Sequence, residues 1–270
     1  MNAVRSHDAA AALLKSGAVE DAMRELAAQV RRDPANAALR VFLFQLLSVL
    51  GQWDRARDQL RAAGELDPRN ALLANAYNVV LDAERERGEV LAGAWTPTMI
   101  GQPAQWQAQL LQALRWNLQG HHLQASRSRS LAFEQAEAIG GSIDGTRFEW
   151  IADADPRFGP CLEIVLRDGY AWVPFSQLRE LSFEPPQDLR DVIWAPVQVT
   201  WADGGRATGF VPGRYPATER AADGDLLLAR RTGWTDIGGG YFVGSGQRML
   251  ATDAGDYPLL DARTLVFDAA

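Results

Sequence analysis

Gly51-Gln52-Trp53-Asp54-Arg55-Ala56, running on through Leu60, Ala63 and Leu66 to Asp67-Pro68, restates what stands 34 residues earlier at Gly17, Ala22, Leu26 and Asp33-Pro34. The same offset takes Leu13 to Leu47, Ala28 to Ala62, Asn36-Ala37 to Asn70-Ala71 and Leu39 to Leu73. Each copy reads as one helix turning into a second. Gly17 and Gly51 stand where the chain must bend sharply, a conformation glycine tolerates. Ala22 and Ala56 are small enough for two helices to approach closely, and Leu26 and Leu60 follow one turn later on the same face. Asp33-Pro34 and Asp67-Pro68 end the second helix, because proline disfavours helical geometry in the residue before it.

A period of this length is that of the tetratricopeptide repeat, a helix–turn–helix unit that buries its apolar faces by stacking. Two repeats are read, the first weaker because Phe44 stands where a small residue is usual. A helical pattern then runs from Asn70 to about Arg87 and is expected to break at Gly88 and at the stretch 93–97. Two more helices are expected over 104–118 and 121–139, ended by Gly140-Gly141.

From there the period changes. Short β-branched or aromatic runs at 148–151, 161–166 and 170–175 are bounded by turn residues, with Asp168-Gly169 as a hairpin signal. Asp203-Gly204-Gly205 joins 197–201 to 207–211 in the same way, and further strands are expected at 226–230, 248–252 and 259–267. Only 176–180 and 186–191 suggest helical turns. The expectation is an α+β chain of two domains: helical hairpins over 1–140, then a mainly antiparallel sheet or partly closed barrel over 141–270.

Charge divides at the same point. Of 270 residues, 27 are Lys or Arg and 34 Asp or Glu, a net charge of −7. The first 140 residues are balanced, while the remainder holds twelve basic against nineteen acidic residues. Neither half has a basic stripe, which argues against nucleic-acid binding. Cys161 is the one cysteine, so an intrachain disulfide is impossible. Asp8 and Lys15 interrupt the Ala-rich opening, and the longest apolar run, Val41 to Leu50, is too short to span a bilayer. A soluble cytoplasmic protein that does not engage membrane is expected.

Arg157-Phe158-Gly159-Pro160, Tyr170-Ala171-Trp172-Val173-Pro174-Phe175, Glu184-Pro185-Pro186, Asp188-Leu189-Arg190-Asp191, Trp194-Ala195-Pro196 and Arg214-Tyr215-Pro216 follow in this order behind the repeats. As a series they resemble the ImpE/TagJ accessory proteins of bacterial type VI secretion, over nearly the whole chain. The resemblance implies an adaptor beside the contractile sheath, with the N-terminal helix of the small sheath subunit TssB as partner. An indirect effect on recycling by the AAA+ ATPase ClpV would follow. It carries over no catalytic residue, no cofactor and no partner-gripping residue.

The residues themselves point to helix 37–50 for binding. Leu39, Leu43, Leu46, Leu47 and Leu50 form one stripe, yet Val41, Phe44, Gln45, Ser48 and Val49 make a second face that is also largely apolar. Either neighbouring helices cover that face, or it lines a groove that accepts an amphipathic helix. The groove reading nominates Val41, Phe44, Gln45, Ser48, Asn75 and Asn78. Trp95, Trp106 and Trp116 are expected to pack the helical layer onto the sheet.

Other constellations carry less. Cys161 would need a base, and His7, His121 and His122 all lie in the helical half. Adjacent His121 and His122 point apart on a helix and have no ligand partner at metal spacing. Asp153 and Asp155, with Glu149, would serve a metal-assisted enzyme, the alternative to an adaptor; Pro156 explains the pair as a polar turn. The glycines at 238–240 and Gly244-Ser245-Gly246 lack a P-loop lysine and a following helix, and read as hairpin loops. Asp188 to Asp191 reads either as a docking surface or as a short capped helix with Arg190 paired locally. An oligomeric brace is a third possible role.

Overall fold

The computed structural model describes residues 2–238 and 240–269, with side chains from residue 9 onward. Five helices open the chain: α1 (Asn2–Lys15), α2 (Val19–Arg32), α3 (Ala37–Val49), α4 (Trp53–Leu66) and α5 (Ala71–Leu91). The turns between α1 and α2 and between α3 and α4 have Gly17 at φ +78° and Gly51 at φ +65°, the left-handed geometry the spacing demanded. Ala22, Leu26, Ala56 and Leu60 are completely shielded from solvent. Asn36 caps α3 by accepting the Leu39 N–H at 3.2 Å.

A short edge strand β1 (Thr98–Met99) follows, then α6 (Gln105–Leu118) and α7 (His122–Gln135). The rest is β2 (Gly141–Ile143), β3 (Thr146–Phe148), β4 (Ile151–Asp153), β5 (Cys161–Leu166), β6 (Gly169–Pro174), β7 (Leu178–Phe183), β8 (Trp194–Trp201) and β9 (Arg206–Pro212). One helical turn, α8 (Gly224–Leu227), separates these from β10 (Thr232–Asp236), β11 (Phe242–Gly246), β12 (Met249–Thr252), β13 (Gly255–Pro258) and β14 (Thr264–Phe267). Among the described residues nine strands form one sheet in the order β1-β6-β5-β9-β8-β7-β14-β2-β3, antiparallel except where β1 runs parallel to β6. β13-β12-β4 and the hairpin β10-β11 are separate. The protein is thus α+β, helical repeats followed by a mainly antiparallel sheet.

Several local expectations are corrected. α5 runs straight through Gly88, because an isolated glycine only weakens a helix; it stops at Gly93, φ +76°. The expected strand at 226–230 is instead α8, since the Asp223 carboxylate accepts the Asp225 N–H at 2.7 Å and starts a helical turn. The run 148–151 is cut into β3 and β4, which belong to different sheets, and only the end of 259–267 is extended. The helical turns come at Phe175–Gln177 and Leu189–Val192.

Two apolar clusters fill the molecule. One lies against one face of the large sheet, around Leu162, Ile164, Val173, Leu181, Val199, Leu250 and Leu265. The other joins the repeats to the outer sheet face, with Leu43, Phe44, Leu47, Tyr77 and Val80 meeting Val165, Trp172, Trp194 and Tyr215.

The second half grips both repeats in the same way. Arg230 donates to the carbonyls of Leu14 (2.7 Å) and Lys15 (3.1 Å) at the end of α1. Arg214 donates to those of Ser48 (3.4 Å) and Val49 (3.0 Å) at the end of α3. These carbonyls lie 34 residues apart, so two arginines read the repeat and satisfy the orphan acceptors at each helix terminus.

Candidate functional site

On the inner face of the repeats a cleft of about 520 Å³ opens between Ala11 of α1, Ala38, Val41, Phe42 and Gln45 of α3, Asn70, and the segment Gln187-Asp188-Leu189. Ala38 is exposed and Val41 half-buried, so one wall is apolar and solvent-facing. The opposite wall is held by Asp191, whose carboxylate accepts the N–H groups of Gln187 and Asp188, both at 2.9 Å. The Arg190 N–H donates to Gln45 Oε1 at 3.2 Å, and its guanidinium lies over the Tyr77 ring. The block 188–191 is therefore locally capped and also docked on α3.

The structure divides the six nominated residues. Val41 and Gln45 line the cleft. Phe44 lies edge-on to Tyr77 at 5.5 Å, and Ser48 Oγ donates to the Phe44 carbonyl at 2.9 Å; both are fully buried, with Arg214 below them. The chain's own second half covers that part of the face, so Phe44 and Ser48 are inaccessible to a partner in this conformation. Asn75 is exposed and Asn78 half-buried on α5, outside the cleft lining. Ala38, Phe42 and Leu189 were missed. A cleft formed jointly with a segment about 145 residues away cannot be found from helical periodicity.

Between α5 and the sheet the halves are joined by a buried charge network that the sequence reading also missed. Arg87 of α5 makes a bidentate pair with Glu163 of β5 (2.8 Å for both bonds) and donates to the Arg214 carbonyl at 2.9 Å. Arg248 bridges Glu163 and Asp153 and lies over the rings of Phe158 and Tyr215. The Tyr170 hydroxyl donates to Glu163, and Trp172 Nε1 donates to the Tyr170 oxygen at 2.6 Å. Trp194 Nε1 reaches Glu84 at 2.7 Å. Burial pushes Glu163 up, but the Arg87 and Arg248 guanidiniums outweigh it and hold the carboxyl at about 2. Asp153 goes the other way, to about 7: complete burial and the Asp155 charge oppose Arg248, whose charge Glu163 shares. A lone charge inside an apolar strand, Glu163 between Leu162 and Ile164, was the available signal.

The network also decides what the acidic residues do. Asp153 is bound by Arg248 and by the Tyr215 hydroxyl (3.0 Å), and Asp155 by Arg157 (2.5 Å) and the Gly244 N–H (2.7 Å). Glu149 is exposed and its carboxylate does not converge with them. Among the described residues no group of three or more His, Cys, Asp or Glu side chains is placed to hold a metal. Cys161 is buried, which pushes its thiol far up, away from thiolate. His122 packs against Gly238, remote in sequence from Cys161; the side chain of His7 and the backbone of Gly239 lie outside the described residues. Gly244-Ser245-Gly246, expected as loop, is part of β11. Among the described residues no helix is long and apolar enough to cross a membrane.

A tetratricopeptide repeat family model matches residues 7–78, and the ImpE protein family model matches residues 145–266. The chain is 46% identical to the type VI secretion system accessory component TagJ of Pseudomonas aeruginosa, over 95% of this chain and 90% of that protein. The chain belongs to the ImpE/TagJ family. Its fold is also that of protein VPA1032 from Vibrio parahaemolyticus, whose crystal structure matches 97% of this chain and 98% of that one with a TM-score of 0.88 at 21% identity. Four of the segments that carry the ImpE/TagJ resemblance contribute to the seam. Tyr170, Trp172 and Trp194 hydrogen-bond within it, Arg190 docks on α3, and Arg214-Tyr215 ties α3 to Asp153.

Proposed function

We propose that the chain is a non-catalytic accessory adaptor of a bacterial type VI secretion system, working in the cytoplasm. Its cleft between α1, α3 and the 187–189 segment receives the N-terminal helix of the small sheath subunit TssB. Occupancy would influence sheath assembly or ClpV-dependent recycling. In this reading residues 1–140 present the partner-binding face and residues 141–270 brace it.

The observation that carries the reading is the half-apolar cleft on the inner repeat face, left open where the second half covers the rest of α3. Stacked helical pairs recognise partner helices through such faces, with apolar contact for affinity and a polar rim for register. Family membership and the accessory role of the Pseudomonas relative TagJ in type VI secretion supply the secretion context. The buried carboxylates are committed to arginines, which favours binding over catalysis.

A pull-down by the full-length chain tests this. Intact TssB should be retained, and TssB lacking its first helix should be lost. Equal retention of both would place recognition elsewhere on the subunit.

A further inference from the structure

A second concave surface lies away from the repeats, where the end of α7 meets β4 and the turn before β5. It is an apolar groove of about 240 Å³ lined by Phe133, Glu137, Trp150, Ala152, Gly159 and Pro160, among others. Phe133 and Trp150 form its walls yet leave 39% and 41% of their surface exposed. The floor is shaped for this. The Phe133 ring occupies the space a side chain on Gly159 would need, and Gly159 has φ +49°. Asp253 fixes the other wall, accepting the N–H of Glu149 at 2.7 Å and of Trp150 at 3.4 Å.

Charge identifies the occupant. Glu137 lines the groove, Glu134 follows Phe133 and Glu149 precedes Trp150 in the chain, and Asp253 holds the 149–150 backbone; all four are exposed. The backbone bonds hold Asp253 below the usual carboxylate range. The described lining contains no cation; the nearby Arg157 is committed to Asp155, and Arg147, which lies within electrostatic reach of Glu149, is committed to Asp268. An apolar slot between two exposed aromatics with a one-signed rim suits a cationic partner, since aromatics anchor interfaces and complementary rim charge steers and orients.

We propose that this groove is a docking site for a short segment of a partner protein carrying Lys or Arg beside apolar residues. The site is distinct from the helix-binding cleft and does not depend on it, so the chain would join two partners.

The test pans a random peptide-display library against the immobilised full-length chain, then measures the selected peptides by fluorescence anisotropy. Selected peptides should combine an apolar anchor with flanking Lys or Arg. Trp150→Ala should weaken them about tenfold. Glu137→Lys, at an exposed position, should weaken them several-fold, with a gap that narrows as salt rises. Melting curves matching wild type confirm that both variants fold. Peptides without basic residues, or peptides indifferent to both substitutions, would overturn the proposal. So would sedimentation showing a self-associated chain that Trp150→Ala makes monomeric, because the groove would then belong to a second copy.

Discussion

Glu163 is the residue on which the joint between the halves turns. It is wholly buried and receives Arg87, Arg248 and Tyr170 together. Removing one member of a buried ion network leaves the others charged and unpaired, which costs about 3–5 kcal/mol. Glu163→Gln should therefore lower the unfolding free energy from urea titration by that order, whereas an exposed pair such as Arg61–Asp58 should contribute under about 1 kcal/mol. Asp153 gives a pH signature of its own. Its folded value of about 7 lies above the ordinary 3.8, so between these values the folded chain holds a proton that the unfolded chain has released. Its contribution to stability is present at low pH and is lost as pH rises from about 4 to about 7. Asp153→Asn should remove that decline, read as a flatter urea midpoint across the interval; an unchanged slope would show that Asp153 is ionised throughout. The sequence announced Glu163 by placing it among apolar neighbours in β5, but nothing local could pair it with Arg87, 76 residues away.

Among the elements, those set by local chemistry were legible. The 34-residue offset placed α1 to α4, and Asp168-Gly169 placed the β5–β6 hairpin. The hairpin β10–β11 was missed because Gly233, Gly244 and Gly246 argue against strands, yet they are there for close approach. Tyr215 lies directly over Gly244, and the Arg231 carbonyl lies against Gly246. Docking of the second half onto the repeat turns makes a graded prediction. Gly51→Ala forces a side chain into the left-handed region, costing about 1–2 kcal/mol for the backbone alone, and drives it against Cβ and Cγ of Glu219, which must shift as well. Gly224→Ala should be worse, because its new carbon meets the Gly17 backbone carbonyl, which has no rotamer to yield. Thermal melts should rank wild type above Gly51→Ala above Gly224→Ala; a Gly224→Ala protein melting with wild type would refute this docking.

At the scale of the molecule, the second half covers part of the α3 face and frames the cleft proposed for binding. It covers Phe44 and Ser48 with Arg214 and the Trp194 layer, and it leaves Val41 and Gln45 beside the 187–189 segment. That helical repeats give way to a mainly antiparallel sheet was readable from the change of period, but the seam was not, because it assembles from residues that each look ordinary in their own strand or helix. Ala38 allows a clean probe of the cleft, being exposed and so replaceable at little cost to folding. The direct measurement is a calorimetric titration of the isolated N-terminal TssB helix into the full-length chain and its Ala38→Trp variant. One-to-one binding by the wild type, weakened at least about tenfold by Ala38→Trp at unchanged melting temperature, is the predicted result. Equal affinity for both proteins, or no heat from the peptide while intact TssB still binds, would contradict it.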